Sequence, residues 1–491
     1  MQLLLDIDGR TRTPLQQQIF EQLRAAILTG RLAPGQRIPS TRDLCTQLDV
    51  SRNTVALAYE RLCAEGYIET RHGLGTFVNL LLPEAALRSR RQAVQPSTVA
   101  APKSKPRYSG PFRGQRPTLF SAGAQALICD FRVGRPDPDS FPIQAWRRMA
   151  GRFLGRRVPP LTQYGDPAGD PTLRGAIARH VAAARGIIVE PDQVIIVAGV
   201  QEALNLVARV FLVPGAQVVV ESPTYQGAAY CFESFGAKLV PVPIDQAGLV
   251  VDRIPNSHAA LAYVTPSHQY PLGYTLSLER RLQLLDLATR SGFYILEDDY
   301  DGDFRFQGSP MTALQGLDIG ERVLYTTTFS KSLGAALRLG YLIVPAHLVG
   351  PFTTAKALLN NGHPLLDQMI MAEFIDSGQF DNHLRRIRMK YMARRDCLID
   401  ALTRHFGPCR ITGQEGGMHL AWHLPDALPG AAQLQERAAK IGIGIYSLTS
   451  GQCYVFGDRQ DNDRIVMLGY PSVPEARIKR AIRDLAAAVL K

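Results

Sequence analysis

Cysteine chemistry is the first thing the chain lacks. Its seven cysteines, Cys45, Cys63, Cys129, Cys231, Cys397, Cys409 and Cys453, are odd in number and scattered, with no Cys-x-x-Cys pair. That pattern excludes a disulfide framework and the usual zinc spacing, and reads as reduced thiols with no metal. Long apolar runs are missing as well. None approaches the roughly 18 to 20 residues of a membrane helix, and Asp6 and Asp8 stand where a secretory signal would continue its apolar stretch. The expectation is a cytoplasmic protein without a membrane partner. The Gly-x-Gly-x-x-Gly and Gly-x-x-x-x-Gly-Lys-Ser/Thr fingerprints are also missing, which disfavours classical dinucleotide and P-loop sites. What remains is an ordinary globular composition, 46% hydrophobic and 20% charged over 491 residues, enough for two to four domains.

Positive charge is present and unevenly placed. The net charge is +11, and residues 83–119 alone carry 8 Lys and Arg against 1 acidic residue. This segment, rich in Pro, Ser and Ala and without a hydrophobic period, cannot bury enough surface to fold alone. It reads as a basic linker, either a solvated tether or a contact to nucleic acid, between a unit at 1–82 and a unit at 120–491.

In the first unit, Leu15, Ile19, Leu23 and Ile27 recur every four positions within 14–30, and Gly30 closes the helix they predict. After a turn at APGQRIP, Ser40 with Asp43 three residues on forms a capping-box-like start to a short helix with Leu44 and Leu48 inward. Asp49 and Val50 make the next turn. Ser51 then caps a helix with Val55, Tyr59 and Leu62 inward, and YIETRHGLGTFV reads as two short strands around a glycine-containing tip. Helix, helix-turn-helix and β-wing is an α+β unit whose recognition helix presents its N-terminal residues to base edges, while arginines and hydroxyls hold phosphates. Arg42, Arg52, Asn53 and Thr54 stand at those places; a helical interaction module with solvated arginines is the alternative.

RIPSTRDL, VSRNTVALAYERLCAEGYI and RHGLGTFV, in that order, resemble the winged helix-turn-helix of the GntR family. The resemblance implies that Arg42 and Arg52, with Ser51, Asn53 and Thr54, contact double-stranded operator DNA. It also implies that His72 and Gly73 at the wing tip enter the minor groove.

The unit at 120–491 alternates apolar strands (QVIIVAG, QVVVES, KLVPVPI, ALAYVTP, FYILEDD, RVLYTTTF, RLGYLIV) with longer amphipathic stretches. That pattern predicts an α/β domain with a mainly parallel sheet covered by helices, followed by a smaller lobe. Gly199 leads a strand into a helix, which turns the amides of Val200 and Gln201 toward an anion. A lysine among hydroxyls, Lys331 in TTFSKSLG, is followed by Arg338, and Asp298 ends an acidic strand that reads equally as a metal site or a solvated strand end. Taken together, Asp298, Lys331 and Arg338 supply what pyridoxal phosphate requires: an attachment lysine, a carboxylate for the ring nitrogen and a phosphate clamp.

The motifs QYGDPAGDPTLRGAIARHV, GVQEALNLV, ESPTYQGA, VTPSHQYPLG, ILEDDYDGDFRF and TFSKSLGAALRLGYL resemble a fold-type-I aminotransferase, and specifically the MocR subfamily of GntR regulators, over nearly the whole chain. The resemblance implies pyridoxal 5'-phosphate bound to Lys331, with Asp298 at the ring nitrogen, Tyr300 at the phenolic oxygen and Tyr225 on the ring face. Thr328, Ser330, Arg338 and the amides of Val200 and Gln201 would hold the phosphate, Gln269 or a neighbour in PSHQYP would replace the asparagine that aminotransferases use at the phenolic oxygen, and Tyr164 would reach the cofactor of the other subunit of a homodimer. Two positions depart from the pattern. Met467 of IVMLGY stands where aminotransferases place the arginine for the substrate carboxylate, with Arg464 three residues earlier. Gly227 stands two residues past Tyr225, where GabR-like members carry another arginine.

The expected function is a DNA-binding regulator that senses pyridoxal phosphate, or an amine or amino-acid effector, through Schiff-base chemistry. A working aminotransferase with an accessory DNA-binding head is the alternative, and the intact winged helix favours the regulator. A regulator whose body has lost the cofactor is opposed by the retained Lys331, Asp298, Tyr300 and Arg338.

Overall fold

The computed structural model describes residues 3, 5–8, 11, 13–71, 73–82, 127–155, 161–255, 259–306, 311–457 and 460–490. The chain divides into two compact units, Met1–Arg107 and Tyr108–Lys491. The basic segment at 83–119 and His72 lie outside the described residues. All seven cysteines are free thiols, and among the described residues no helix is long and apolar enough to cross a membrane.

The head consists of α1 (Leu15–Leu28), β1 (Arg37–Ile38), α2 (Thr41–Leu48), α3 (Arg52–Ala64), β2 (Ile68–Arg71) and β3 (Gly75–Val78). The apolar period of α1 buries Ile19, Leu23 and Ile27 against Leu44, Val55, Leu62, Ile68 and Val78 from the other elements. The box expected at α2 is formed: the Asp43 amide donates to Ser40 Oγ at 3.1 Å, and the Ser40 amide donates to the Asp43 carboxylate at 3.3 Å. The Ser40 hydroxyl, which also donates to the Asp43 carboxylate at 2.7 Å, and then the Ser40 amide hold the Asp43 carboxyl below the usual carboxylate range. Ser51 caps α3 by accepting from the Thr54 amide at 3.1 Å. The APGQRIP segment, expected as a turn, also contributes β1, which pairs antiparallel with β3. A two-residue strand carries no period of its own, so only its partner reveals it.

In the body, an eight-stranded sheet runs in the order Val194–Val197, Gly340–Ile343, Val323–Thr328, Tyr294–Asp298, Ala259–Val264, Gln217–Ser222, Lys238–Asp245, Gly248–Leu249. The seven longer strands are those expected from the sequence. The run from Val323–Thr328 to Lys238–Asp245 is parallel, and its central strands are covered on both faces, which is why they read as continuous apolar segments. Gly340–Ile343 runs antiparallel to both neighbours. A smaller antiparallel sheet of Arg410–Thr412, His419–His423, Ile465–Gly469 and Tyr446–Ser447 follows, packed with the helices Gln379–Phe406 and Glu475–Val489.

The register of the large sheet gathers the candidate residues at one edge. Asp298 and Thr328 end neighbouring parallel strands. Gly340 pairs with both Thr328 and Val197, so Arg338, two residues before it, and Gly199, two residues after Val197, arrive at the same carboxyl edge. Crevices beyond the carboxyl ends of such strands are where α/β folds place their ligands.

Candidate functional site

Asp298 is 4% exposed. Its Oδ2 accepts from the Tyr263 hydroxyl at 2.8 Å, while its Oδ1 has no hydrogen-bond partner. Burial, helped by the charges of Asp299 and Asp301, pushes its carboxyl up to about 7 against the opposing pull of Tyr263 and Lys331. A protonated ring nitrogen is the kind of donor that such an orphaned, half-neutralised carboxylate lacks. Tyr300 donates to the His268 carbonyl at 3.1 Å and lies 3.1 Å from His268 Nδ1. Tyr225 and Tyr300 each meet Tyr270 edge-on, at centroid distances of 5.7 and 5.8 Å. The Lys331 ammonium donates to the Gly134 carbonyl at 3.2 Å. Burial lowers its pKa, with Arg338 acting in the same sense and Asp301 and Asp298 opposing. A lysine so placed gives up its proton more readily, as a nucleophilic amine must.

At the other end of the crevice, Gly199 precedes the helix Val200–Phe211 with φ +112°, and a Cβ there would sit 3.4 Å from the Arg338 guanidinium and 3.6 Å from Thr328 Oγ1. The helix N-terminus, the guanidinium and the hydroxyl therefore face one point, and the first-turn amides of Val200 and Gln201 have no intrahelical acceptor. Thr328 Oγ1 donates to Ser330 Oγ at 2.8 Å, leaving the Ser330 proton free to donate. Arg338 makes no ion pair among the described residues. Glu202, in the same helical turn, would repel a phosphate, but its carboxylate is held by Lys356, by Asn360 at 2.8 Å and by the Ala198 amide at 2.5 Å. The donor set fits pyridoxal phosphate from the ring nitrogen to the phosphate.

Other expected positions resolve differently. The Gln269 carboxamide is not free to hold a phenolic oxygen: Nε2 donates to Glu221 at 3.3 Å and to the carbonyls of Pro223 and Tyr270 at 3.0 and 2.6 Å, and Oε1 accepts from the Leu272 amide at 3.0 Å. Its loop turns it toward the buried Glu221, and Tyr270, the next residue, stands between Tyr225 and Tyr300 instead. Tyr164 is 87% exposed, and among the described residues no contact ties it to the crevice. Arg464 donates to the carbonyls of Leu424, Pro425 and Leu428, so it is structural. A Cβ on Gly227 would meet the Tyr225 ring at 2.4 Å, which leaves no room for an arginine beside Tyr225 in this position.

Sequence reasoning missed Tyr263 and Gly134, and reached His268 and Tyr270 only as neighbours of Gln269 in PSHQYP. Tyr263 is one aromatic in an apolar strand, and nothing local marks it as the partner of Asp298. His268 and Tyr270 lie inside a motif already singled out, and the Asp301 carboxylate lies 2.9 Å from His268 Nδ1.

In the head, Arg42, Arg52 and Asn53 are exposed, and neither arginine forms an ion pair among the described residues. Ser51 and Thr54 join hydroxyls at 2.8 Å across the start of α3, and Gly73 takes φ +73° at the turn between β2 and β3. Two free guanidiniums at the N-termini of α2 and α3 form a polar, cationic face suited to a phosphate backbone.

Residues 129–484 match the aminotransferase class I and II family, and residues 15–78 match the gntR family of bacterial regulatory proteins. The chain is 36% identical over 495 residues to the probable rhizopine catabolism regulatory protein MocR of Rhizobium meliloti, covering 99% of this chain and 96% of the relative. It is 34% identical over 477 residues to the HTH-type transcriptional regulator TauR of Rhodobacter capsulatus, covering 97% and 96%. The fold resembles the multiple substrate aminotransferase of Thermococcus profundus, with a TM-score of 0.68 at 28% identity, over 78% of this chain and 97% of that one. End-to-end similarity to regulators, together with an aminotransferase fold that covers the body alone, places the chain in the MocR subfamily of GntR-type transcriptional regulators.

Proposed function

We propose that this regulator binds operator DNA as a homodimer through α2, α3 and the wing, and that its body reads pyridoxal 5'-phosphate or an amine or amino-acid effector that reacts with it. The observation that carries the reading is the buried, unpartnered Oδ1 of Asp298 on the same crevice as Lys331. When bound, pyridoxal phosphate supplies a carbonyl carbon that reacts reversibly with primary amines and a ring that withdraws electrons. Lys331 attaches it, Asp298 holds the proton on the ring nitrogen, Tyr300 hydrogen-bonds the phenolic oxygen and Tyr225 covers the ring. Thr328, Ser330, Arg338 and the amides of Val200 and Gln201 bind the phosphate, and Tyr164 serves the partner subunit. Turnover is slow or absent, because Met467 offers no cation to orient a substrate carboxylate.

A ligand shifts a protein between DNA-binding states only by binding those states with different affinity. The test is operator affinity measured with and without pyridoxal phosphate and candidate amines, for the wild type and Lys331→Ala. The expected result is a yellow protein whose operator affinity or footprint changes with cofactor or amine, and a Lys331→Ala variant that is colourless and unresponsive. A colourless wild type overturns the cofactor assignment. Rapid transamination with no effect on operator binding returns the chain to the enzyme reading.

A further inference from the structure

Met467 lies at the centre of the strand Ile465–Gly469 and is fully buried. It shares a face with Gly469, where a Cβ would stand 2.8 Å from the Val133 Cα, and the next residue, Gly134, accepts from Lys331. Met467 therefore shares its strand face with the residue that packs on the segment supplying the Lys331 acceptor. Its Sδ lies 3.4 Å from the Cys453 Sγ, and Cys453 is the strand partner of Tyr225. Tyr270, Leu448, Ala421 and Ile465 complete the cluster, against which Tyr225 and Tyr300 pack. The wall is thus apolar from the neighbour of Lys331 to the tyrosines at the ring.

Among the described residues, the arginines of the neighbouring segments have partners elsewhere. Arg464 is spent on three carbonyls. Arg132 and Arg135 converge on one carboxylate, Asp130, at 3.8 and 2.7 Å. A carboxylate pressed against the Met467 side chain would lose its water and find a thioether where a guanidinium would pair with it, which is among the costlier events in recognition. An apolar tail in the same place gains what burial supplies.

Resting on the cofactor reading above, we propose that the molecule read by the body is a primary amine with an apolar or aromatic tail and no carboxylate on its amine-bearing carbon, and that Met467 is the residue that sets this specificity. In the exchange, the incoming nitrogen forms the C=N bond to the cofactor carbon as the bond to Lys331 Nζ breaks. The two hydrogens that the incoming nitrogen gives up are returned as protons to Lys331 Nζ, which leaves as the free amine, and no oxidant or reductant is consumed.

The experiment uses the full chain loaded with pyridoxal phosphate and matched probes differing only in the carboxylate: phenethylamine and phenylalanine, tyramine and tyrosine, isoamylamine and leucine. Affinity is read from the absorption of the bound cofactor and from the shift in operator binding. Each amine is expected to bind at least about tenfold more tightly than its amino acid. Met467→Leu keeps that preference, and Met467→Arg narrows or reverses it. Amino acids that bind as tightly as their amines overturn the inference while leaving the cofactor reading intact. If borohydride fails to fix the cofactor to Lys331, the cofactor reading falls and this inference falls with it.

Discussion

The head and the body present their candidate residues in opposite ways. In the head, Arg42 and Arg52 are exposed, and neither forms an ion pair among the described residues. In the body, Asp298, Tyr300 and Lys331 sit in a network of hydrogen bonds and burial, and their protonation depends on their neighbours. The difference follows from the ligands each face suits. A duplex is a large polyanion that is read at a surface, where a protein keeps its cations solvated until they release counterions from phosphate. A small cofactor is enclosed, and the protein must pre-arrange partners for each of its atoms.

The largest effect should come from Lys331→Ala, which removes covalent cofactor capture altogether and with it the absorption band and borohydride labelling. DNA binding by the head should survive, because α2 and α3 have a core of their own. Loss of DNA binding in this variant under cofactor-free conditions would show that the two regions are not separable in the way the comparison holds.

Asp298 gives the next effect, through pH. Its folded carboxyl is raised to about 7, so it contributes stability that is present in acid and lost as pH rises from about 4 through 7. Cofactor-free Asp298→Asn should therefore melt above wild type at pH 8, by an effect of the order of a few kcal/mol, and the gap should shrink toward pH 5. Thermal melts across that range check this, and adding pyridoxal phosphate should stabilise wild type more than the variant. A gap independent of pH would mean that the crevice is wetter than its burial indicates.

Arg52→Ala should weaken discrimination of the operator by about 1–3 kcal/mol without changing body absorbance. Competition against unrelated DNA reads that difference, and unchanged discrimination would move the contact away from the start of α3. The smallest effect belongs to Ser40→Ala, which removes the box on α2 and should cost about 1 kcal/mol of head stability, measurable by denaturant melts. A similar change in operator affinity is expected only to the extent that α2 frays.

Much of the head was legible because its signals are local. A cap three residues from its partner, apolar positions four apart and a glycine at a tip are short-range devices, and Ser40, Asp43, Ile19, Leu23 and Gly73 occupy them as the sequence implies. The strands of the body were legible for the same reason, since Val194–Val197 or Tyr294–Asp298 reads as a buried run wherever it pairs. Gln269 shows where such reading stops. Its residue type suits a phenolic oxygen, but the direction of its carboxamide is set by Glu221 and Pro223, more than forty positions away.

The amino-acid order by itself determined the helices and caps of the head and the longer strands of the body, and which residue types are available for a lysine, a carboxylate and a phosphate clamp, because those properties depend on periods of two to four residues. Only the tertiary structure decided that Gly340 pairs with both Thr328 and Val197 and so brings Arg338 to Gly199. The same holds for Tyr263 taking one oxygen of Asp298 and leaving the other bare, and for Met467 packing beside Cys453. These are contacts between residues far apart in the chain, fixed by strand register and burial, and no local period encodes them.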